Sequence, residues 1–159
     1  MKRTVQKLAD YLNENNLTLA LAESMTCGCA AHCIGSAGGT SGFFKGSIVC
    51  YDESVKMELF KIKPAMLKRY TAESQQITDA LAKKLKELIH ADIYASITGL
   101  AAPGGSESKS KPVGTVFFSV FTKRKIHRQK KKFNGSPLVI REKACDELFK
   151  FIIHTIKKA

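Results

Sequence analysis

The sequence lacks a long uninterrupted apolar segment. None of its runs approaches the roughly 18–20 apolar residues that span a bilayer, which excludes a membrane-spanning helix. No apolar stretch follows the basic N-terminus either, so we expect no signal peptide and a cytoplasmic location. The chain has 159 residues, of which 44% are hydrophobic and 25% charged, and neither a repeat nor a linker divides it. These values exclude a disordered or fibrous protein and predict one globular domain over residues 1–159.

The sequence also lacks the C-x2-C pairs that are typical of structural zinc sites, although it contains five cysteines. Cys27, Cys29 and Cys33 lie close together in the sequence, with His32 between the last two. The odd number of cysteines and the absence of a signal peptide favour free thiols in a reducing compartment. We therefore expect small buried cysteines and no metal. A zinc ion held by these four residues remains the alternative.

Acidic residues are scarce in this chain. It has 14 Asp and Glu against 26 Lys and Arg, which gives a formal net charge of +12, and seven of the basic residues fall within residues 123–132. This segment is either a nucleic-acid contact or a solvated edge strand whose lysines prevent edge-to-edge aggregation. We favour the edge strand, because aromatic residues are not interleaved with the basic ones and no nucleic-acid-binding motif is present. We therefore expect no sequence-specific nucleic-acid partner.

The spacing of apolar residues and the position of Gly-rich segments predict a succession of helices and strands. The predicted helices cover residues 5–12, 24–34, 54–60, 74–90 and 137–157, and a further helix begins near Pro64. The predicted strands cover residues 17–23, 43–51, 93–98, 113–121 and 125–133, with loops at 35–42 and 99–111. Because helices separate most of the strands, this order is typical of an α/β fold. We expect a three-layer α/β/α sandwich with a mixed, mostly parallel sheet.

Ser24 follows the first predicted strand at the point where a helix is predicted to begin. This order places Ser24 at the carboxyl edge of the sheet, where open α/β sheets bind ligands. A serine there either caps the helix or acts as a nucleophile, with backbone N–H groups as oxyanion donors. A nucleophilic serine needs a base, yet none of the four histidines (His32, His90, His127 and His154) stands in a serine–histidine–acid pattern. A lysine of lowered pKa can replace histidine in that role.

Four segments of the chain resemble the motifs of one known family, the C-terminal domain of the CinA competence-damage-inducible proteins. Residues 23–28 (ESMTCG) resemble its E-S-x-T-G-G motif, and residues 51–56 (YDESVK) resemble its Y-x-N-x-x-K motif. Residues 98–105 (TGLAAPGG) are similar to T-G-x-A-G-P-G-G, and residues 111–116 (KPVGTV) are similar to K-P-x-G-T-V. The segments stand in family order with family-like separations, so the resemblance covers essentially the whole chain.

The resemblance implies a stand-alone nicotinamide-nucleotide amidase with the three-layer fold expected above. Such an enzyme hydrolyses the carboxamide of nicotinamide mononucleotide to nicotinic acid mononucleotide and ammonia, without a metal or cofactor, in the recycling of pyridine nucleotides. Residue by residue, the match implies that Ser24 is the nucleophile and that Tyr51 and Lys56 assist it. The matched positions that would bind the nucleotide are Thr26, Gly28, Thr98, Gly99 and Arg141. The resemblance also implies a homo-oligomer.

Three positions depart from the family motifs. Cys27 and Ala102 stand where the family has glycine, and Glu53 stands where it has asparagine. A side chain at position 27 would crowd the substrate or require a different backbone angle, and Ala102 would stiffen its loop. These departures leave a second hypothesis open, namely a catalytically inert nucleotide-binding or interaction module on the same scaffold. The release of ammonia from nicotinamide mononucleotide distinguishes the two.

Overall fold

The structure, a computed structural model, describes residues 1–123 and 125–158. Arg124, in the basic segment over residues 123–132, and Ala159 lie outside the described residues. The helices are α1 (Lys2–Glu14), α2 (Cys29–Gly35), α3 (Thr40–Phe43), α4 (Glu53–Glu58), α5 (Pro64–Tyr70), α6 (Gln75–Leu85) and α7 (Pro137–Lys157). The strands are β1 (Leu19–Glu23), β2 (Phe44–Val49), β3 (Ile93–Gly99), β4 (Thr115–Thr122) and β5 (Lys125–Lys132). Each described helix is too short or too polar to cross a membrane.

The five strands form one sheet in the order β2-β1-β3-β4-β5. Strand β1 pairs in parallel with β2 and β3, whereas β4 pairs antiparallel with both β3 and β5. The mixed sheet is thus confirmed, but only two of its four strand pairs are parallel, where we expected a mostly parallel sheet. The reason is that, among the described residues, no helical crossover of the kind that a parallel pair requires lies between β3 and β4 or between β4 and β5. The carboxyl ends of β1, β2 and β3 share one edge, which is where ligands bind in such sheets.

Helices cover both faces of this sheet, which confirms the expected three layers. Successive residues of a strand point to opposite faces, so Leu19 and Leu21 of β1 join one buried cluster, and Ala20 and Ala22 join the other. The first cluster contains apolar residues of α1, α2 and α7, and the second contains those of α5 and α6. Strands β1, β3 and β4 are buried along their whole length. They therefore form a rigid centre from which the loops of the sheet edge project.

The segment after β1 differs from the prediction. A helix was expected from residue 24, but tight turns occupy residues 25–28 and α2 begins only at Cys29. Gly28, in the left-handed conformation with a φ of 89°, is the N-cap of α2. Ser24 therefore caps no helix, which removes the structural role that we had weighed against a nucleophile. A second difference is the short helix α3, which begins within the loop that was expected over residues 35–42.

Strand β5 forms one edge of the sheet, which confirms the edge-strand interpretation of the basic segment. Two of its basic side chains lie against acidic partners. Arg128 Nε donates to the carboxylate of Asp79 at 2.6 Å, and Lys131 Nζ lies 3.6 Å from a carboxylate oxygen of Glu147. These partners belong to α6 and α7, so the basic strand is attached to helices on both faces of the sheet. Lysines along an exposed edge also oppose pairing with a strand of another molecule.

Candidate functional site

The carboxylate of Glu23, at the end of β1, organises the turn that follows it. The side chain is fully buried, and its two oxygens accept five hydrogen bonds, three from backbone N–H groups and two from hydroxyls. The donors are Thr26 Oγ1 (2.8 Å), Gly28 N (3.1 Å), Ala30 N (3.0 Å), Ala31 N (2.9 Å) and Ser47 Oγ (2.9 Å). A buried carboxylate is stable only with such compensation, and the first N–H groups of a helix favour negative charge. Glu23 therefore holds the turn over residues 24–28 in one conformation.

Ser24, the expected nucleophile, lies directly after Glu23 on the wall of a cavity of about 240 Å³. Its backbone N–H donates to Ile97 O in the neighbouring strand β3 at 3.1 Å. Only 7% of the residue is exposed. A ligand inside the cavity can thus reach Ser24, while bulk solvent has little access to it.

Tyr51 and Lys56 meet just beyond the end of β2. Tyr51 lines the same cavity as Ser24 and has an exposed side chain. Lys56 of α4 is fully buried, and its Nζ donates to Cys50 O at 2.6 Å and to Tyr51 O at 2.9 Å. Burial lowers the pKa of the Lys56 ammonium from the ordinary value of a lysine. Lys56 therefore lies behind the part of the cavity wall that Tyr51 forms.

Further lining of the cavity comes from the end of β3 and the first turns of α7. Gly99 lines it, and a Cβ at this position would lie 2.5 Å from Thr115 O, so that no larger residue fits without a shift of the backbone. Arg141 of α7 also lines the cavity, and its Nε donates to Met25 O at 2.9 Å. Arg141 thus joins α7 to the turn after Ser24. The guanidinium, which has five N–H donors in all, brings positive charge to the cavity.

The loop between β3 and β4 is fastened to the segment that precedes α6. Lys111 Nζ donates to Thr71 Oγ1 at 2.7 Å, to Glu73 O at 3.0 Å and to Ser106 Oγ. Ser106 Oγ in turn donates to the carboxylate of Glu73. We refer to these four residues as the Lys111 clasp. Because the clasp consists almost entirely of side-chain contacts, it fixes the loop without any strand or helix.

A second cavity, of about 740 Å³, adjoins the first. The two cavities share Glu73, Gly104 and Gly105, and α4 and α5 supply further residues of the larger one, among them Glu53 and Lys68. Small-molecule sites commonly have volumes of about 300–1,000 Å³. The cavity beside Ser24 is smaller than that range, so it suits the reacting end of a ligand. A ligand of nucleotide size needs both cavities.

Three of the expected substrate-binding residues lie outside the cavity lining. Thr26 and Gly28 direct their donors to the carboxylate of Glu23. Thr98 is fully buried, and its hydroxyl lies 2.7 Å from Thr78 Oγ1 on α6. In the structure these residues shape the two loops. The expected residues that come together at the cavity are Ser24, Tyr51, Gly99 and Arg141, with Lys56 behind Tyr51.

None of the five cysteines lines the cavity beside Ser24. All five are free thiols, and Cys27 is the exposed one. The backbone of Cys27 has a φ of 50°, in the left-handed region that favours glycine, so this departure from the family motif strains the turn. A side-chain hydrogen bond from Cys145 lowers the pKa of the half-buried Cys29 to about 6. Within residues 1–123 and 125–158, no group of three or more His, Cys, Asp or Glu side chains is arranged to hold a metal ion.

Sequence reasoning missed three residues of this site, namely Glu23, Glu73 and Lys111. Glu23 and Lys111 stand inside motifs quoted above, and a carboxylate at the end of an otherwise apolar strand was a usable signal for Glu23. Glu73 lies outside every motif, at a point where the sequence predicts only the approach to a helix. No pattern in the sequence could have placed it beside the loop after β3.

Comparisons with known proteins agree with this fold. The model of the family described as CinA C-terminal domain matches residues 1–156. A CinA-like protein from Petrotoga mobilis is 34% identical over 152 residues, which cover 95% of this chain and 37% of that protein. A competence or damage-inducible protein from Enterobacter asburiae has a crystal structure with a TM-score of 0.90 at 27% identity, over 97% of this chain and 96% of that one. For a CinA superfamily protein from Klebsiella pneumoniae, 23% identical over 99% of this chain and 98% of that one, the TM-score of 0.93 shows the same fold.

The matched region is nearly all of this chain but only a part of its relative from Petrotoga mobilis. The chain spans only 37% of the length of the Petrotoga mobilis protein. The family model, in contrast, covers nearly all of this chain, and the resemblance inferred from the four motifs is confirmed. The chain belongs to the CinA C-terminal domain family.

Proposed function

We propose that the chain is an amidase that hydrolyses the carboxamide of nicotinamide mononucleotide to nicotinic acid mononucleotide and ammonia. The observation that carries the proposal is the placement of Ser24 and Tyr51 on one cavity wall, with Lys56 buried directly behind Tyr51. A nucleophile with a nearby base is what covalent hydrolysis requires. Among the described residues no histidine lines this cavity, and we assign the base to Lys56 because burial lowers its pKa and so favours the neutral amine.

The surroundings of Lys56 suit a base. A neutral amine has two N–H groups and one lone pair. Cys50 O and Tyr51 O accept from Nζ, so the neutral amine can satisfy both carbonyls and keep its lone pair for a proton. Burial lowers the pKa of Lys56 and thereby favours this neutral form. Once protonated, Lys56 is an acid that can protonate a leaving group.

The reaction then proceeds in two halves. Ser24 Oγ forms a bond to the carboxamide carbon, and its proton passes to Lys56, either directly or through the phenol of Tyr51. The C–N bond breaks, and the departing nitrogen takes this proton and leaves as ammonia. Water then hydrolyses the serine ester with Lys56 again as the base, which releases the carboxylic acid and restores Ser24.

The two cavities accommodate the two ends of such a substrate. The smaller one places the carboxamide beside Ser24, and the opening at Gly104 and Gly105 lets the rest of the nucleotide extend into the larger one. Lys68, which lines the larger cavity, supplies positive charge for the phosphate, whereas Arg141 offers N–H donors in the smaller cavity, near the carboxamide.

Incubation of the purified chain with nicotinamide mononucleotide, followed by measurement of ammonia and of nicotinic acid mononucleotide, tests the proposal. We expect Ser24→Ala and Lys56→Arg each to lose at least about 100-fold in rate, the lower end for general acid–base catalysis. Arginine keeps the positive charge but stays protonated, so it cannot replace a neutral lysine. The double variant should lose little more than either single one, because the two residues act as a unit.

Lys63→Arg is the matched control, since Lys63 is exposed at the start of α5 and should keep the full rate. A chelator should also leave the rate unchanged, because no step of this scheme uses a metal. Near-wild-type turnover in a folded Lys56→Arg variant would remove Lys56 from the mechanism. Binding of the nucleotide without release of ammonia would favour the inert nucleotide-binding module instead.

The pH dependence of kcat/KM provides an independent check. Lys56 works as a base only in its neutral form, and the neutral fraction increases with pH. The rate should therefore rise with pH and reach a plateau above the pKa of Lys56, which burial lowers from the value of about 10.4 that is usual for lysine. A rate that falls with increasing pH over this range would contradict the role of Lys56.

A further inference from the structure

Glu73 is the acidic side chain that the two cavities have in common. It lines the smaller cavity together with Ser24 and Tyr51, and it lines the larger cavity as well. Arg141 is the other charged residue of the smaller cavity within the described part of the chain. A substrate that reaches Ser24 from the larger cavity must therefore pass Glu73.

The carboxylate of Glu73 is fixed in place by a hydroxyl donor. Ser106 Oγ donates to one carboxylate oxygen, while Lys111 Nζ donates to the backbone oxygen of Glu73. The three hydrogen bonds that the Lys111 ammonium donates thus go to neutral oxygens. No ion pair within residues 1–123 and 125–158 includes Glu73. A half-buried, oriented carboxylate without a direct ion pair attracts a cation that enters the cavity, in competition with the Lys111 ammonium that the Ser106 hydroxyl links to it.

We propose that Glu73 is a specificity-determining residue that selects a cationic ring, the N-ribosylated pyridinium of the substrate, next to the carboxamide that Ser24 attacks. This inference rests on the proposed function. The ring of nicotinamide mononucleotide carries a formal positive charge, whereas its reduced 1,4-dihydropyridine form is neutral and has the same carboxamide, ribose and phosphate. The product gains a carboxylate, which Glu73 repels, so the same charge favours the substrate over the product.

Glu73→Gln separates charge from structure. The glutamine amide oxygen can still accept the hydrogen bond from Ser106, so the Lys111 clasp stays intact while the negative charge is lost. Glu58→Gln is the matched control, because it removes the same charge from an exposed position at the end of α4 that lines neither cavity.

The experiment measures the dissociation constants of nicotinamide mononucleotide and of its reduced form by calorimetry. Both ligands are titrated into Ser24→Ala, which prevents turnover, and into the same protein with Glu73→Gln or Glu58→Gln added. We expect Glu73→Gln to weaken binding of the cationic nucleotide by about tenfold, an effect between those of a charge pair in bulk water and near a protein surface. Binding of the reduced form should change less than about threefold, and Glu58→Gln should change neither.

Equal weakening of the binding of both ligands would overturn the inference, because it would show that the substitution changed the shape of the site and not its selection for charge. An unchanged affinity for the cationic nucleotide, or no measurable binding of it to Ser24→Ala, would overturn it as well. Ammonia release by the wild-type chain is scored separately. Its absence with charge selection intact refutes only the amidase, whereas its presence without charge selection refutes only the role of Glu73.

Discussion

Two loops flank the cavity, and they are held in different ways. The turn after β1 is built on the buried carboxylate of Glu23, which accepts from three backbone N–H groups and two hydroxyls. The loop after β3 is held by the Lys111 clasp, whose side chains are only partly buried. The turn after β1 is therefore restrained mainly through its backbone N–H groups, and the loop after β3 mainly through side chains.

The difference corresponds to what each loop contributes. The turn after β1 carries Ser24, and a nucleophile must be held in one position for the reaction to be fast. The loop after β3 carries Gly104 and Gly105, which line the route between the two cavities. A loop held by a few side chains can separate from its support without the loss of any strand or helix. We infer that the chain fixes Ser24, the proposed nucleophile, and leaves the proposed substrate entrance adjustable.

Glu23→Gln should have the largest effect, because it disrupts the hydrogen bonds that hold the turn after β1. Glutamine has nearly the same volume, but it offers one acceptor oxygen and places an NH2 group against N–H donors. We expect the free energy of unfolding to fall by about 3 kcal/mol, since hydrogen bonds to a buried charge are lost and their donors are left unsatisfied. Urea unfolding at pH 7 measures this value.

Glu107→Gln is the control for that change. Glu107 is an exposed carboxylate of the other loop and accepts one backbone hydrogen bond, from Gly104 N at 2.8 Å. Its replacement should leave the unfolding midpoint nearly unchanged. Equal destabilisation by the two variants would mean that the two loops are held alike.

Lys111→Met should have an intermediate effect. It should weaken substrate binding and leave the folded structure unchanged. The variant removes three hydrogen bonds of the clasp, so the loop no longer holds Gly104 and Gly105 against the nucleotide. We expect KM for the nucleotide to rise about tenfold with little change in kcat, the pattern that follows from lost uniform binding. Steady-state kinetics on Lys111→Met and on Lys109→Met, an exposed lysine of the same loop, test this. A fall in kcat without a rise in KM would place the clasp in the chemical step.

Cys27→Gly should have the smallest effect, and it should be favourable. Glycine adopts the left-handed backbone of position 27 without strain, but it also loses more entropy on folding. We expect a net gain of about 0.5 kcal/mol in the free energy of unfolding, with activity kept or raised. Cys27→Ala is the control, because it removes the thiol but keeps the Cβ and hence the strain. A collapse of activity in both folded variants would instead indicate a reaction through the thiol.

The fold was largely predictable because its signals are local. The helical spacing of apolar residues in α7 and the strand pattern of β4 specify these elements without knowledge of their neighbours. The proportion of parallel pairing was not predictable in this way, because it depends on how strands far apart in the sequence meet. The start of α2 was misplaced for a related reason. The N–H groups that would have continued a helix back to Ser24 are taken by the carboxylate of Glu23, and helix propensity does not include such a contact.

The candidate site was predictable only where a motif marks it. Ser24, Tyr51, Gly99 and Arg141 come from the resemblance, and the structure brings them to one cavity. Glu73 belongs to the same cavity but stands before α6, far from every motif in the sequence. Its place depends on the fastening of the loop after β3 by Lys111, and that contact joins segments which no local pattern relates.

The central position of β1 affects the order in which a growing chain can assemble. Strand β1 lies between β2 and β3, and Thr18 at its start contacts Asp92, which is 74 positions away. At roughly 5–20 residues per second, a ribosome needs on the order of 4–15 s to add the chain between them. Until then Ser24 lacks the carbonyl of Ile97 that fixes its backbone. A strand destined for burial on both faces also waits without β3, so one edge of β1 stays open to pairing with another chain until then.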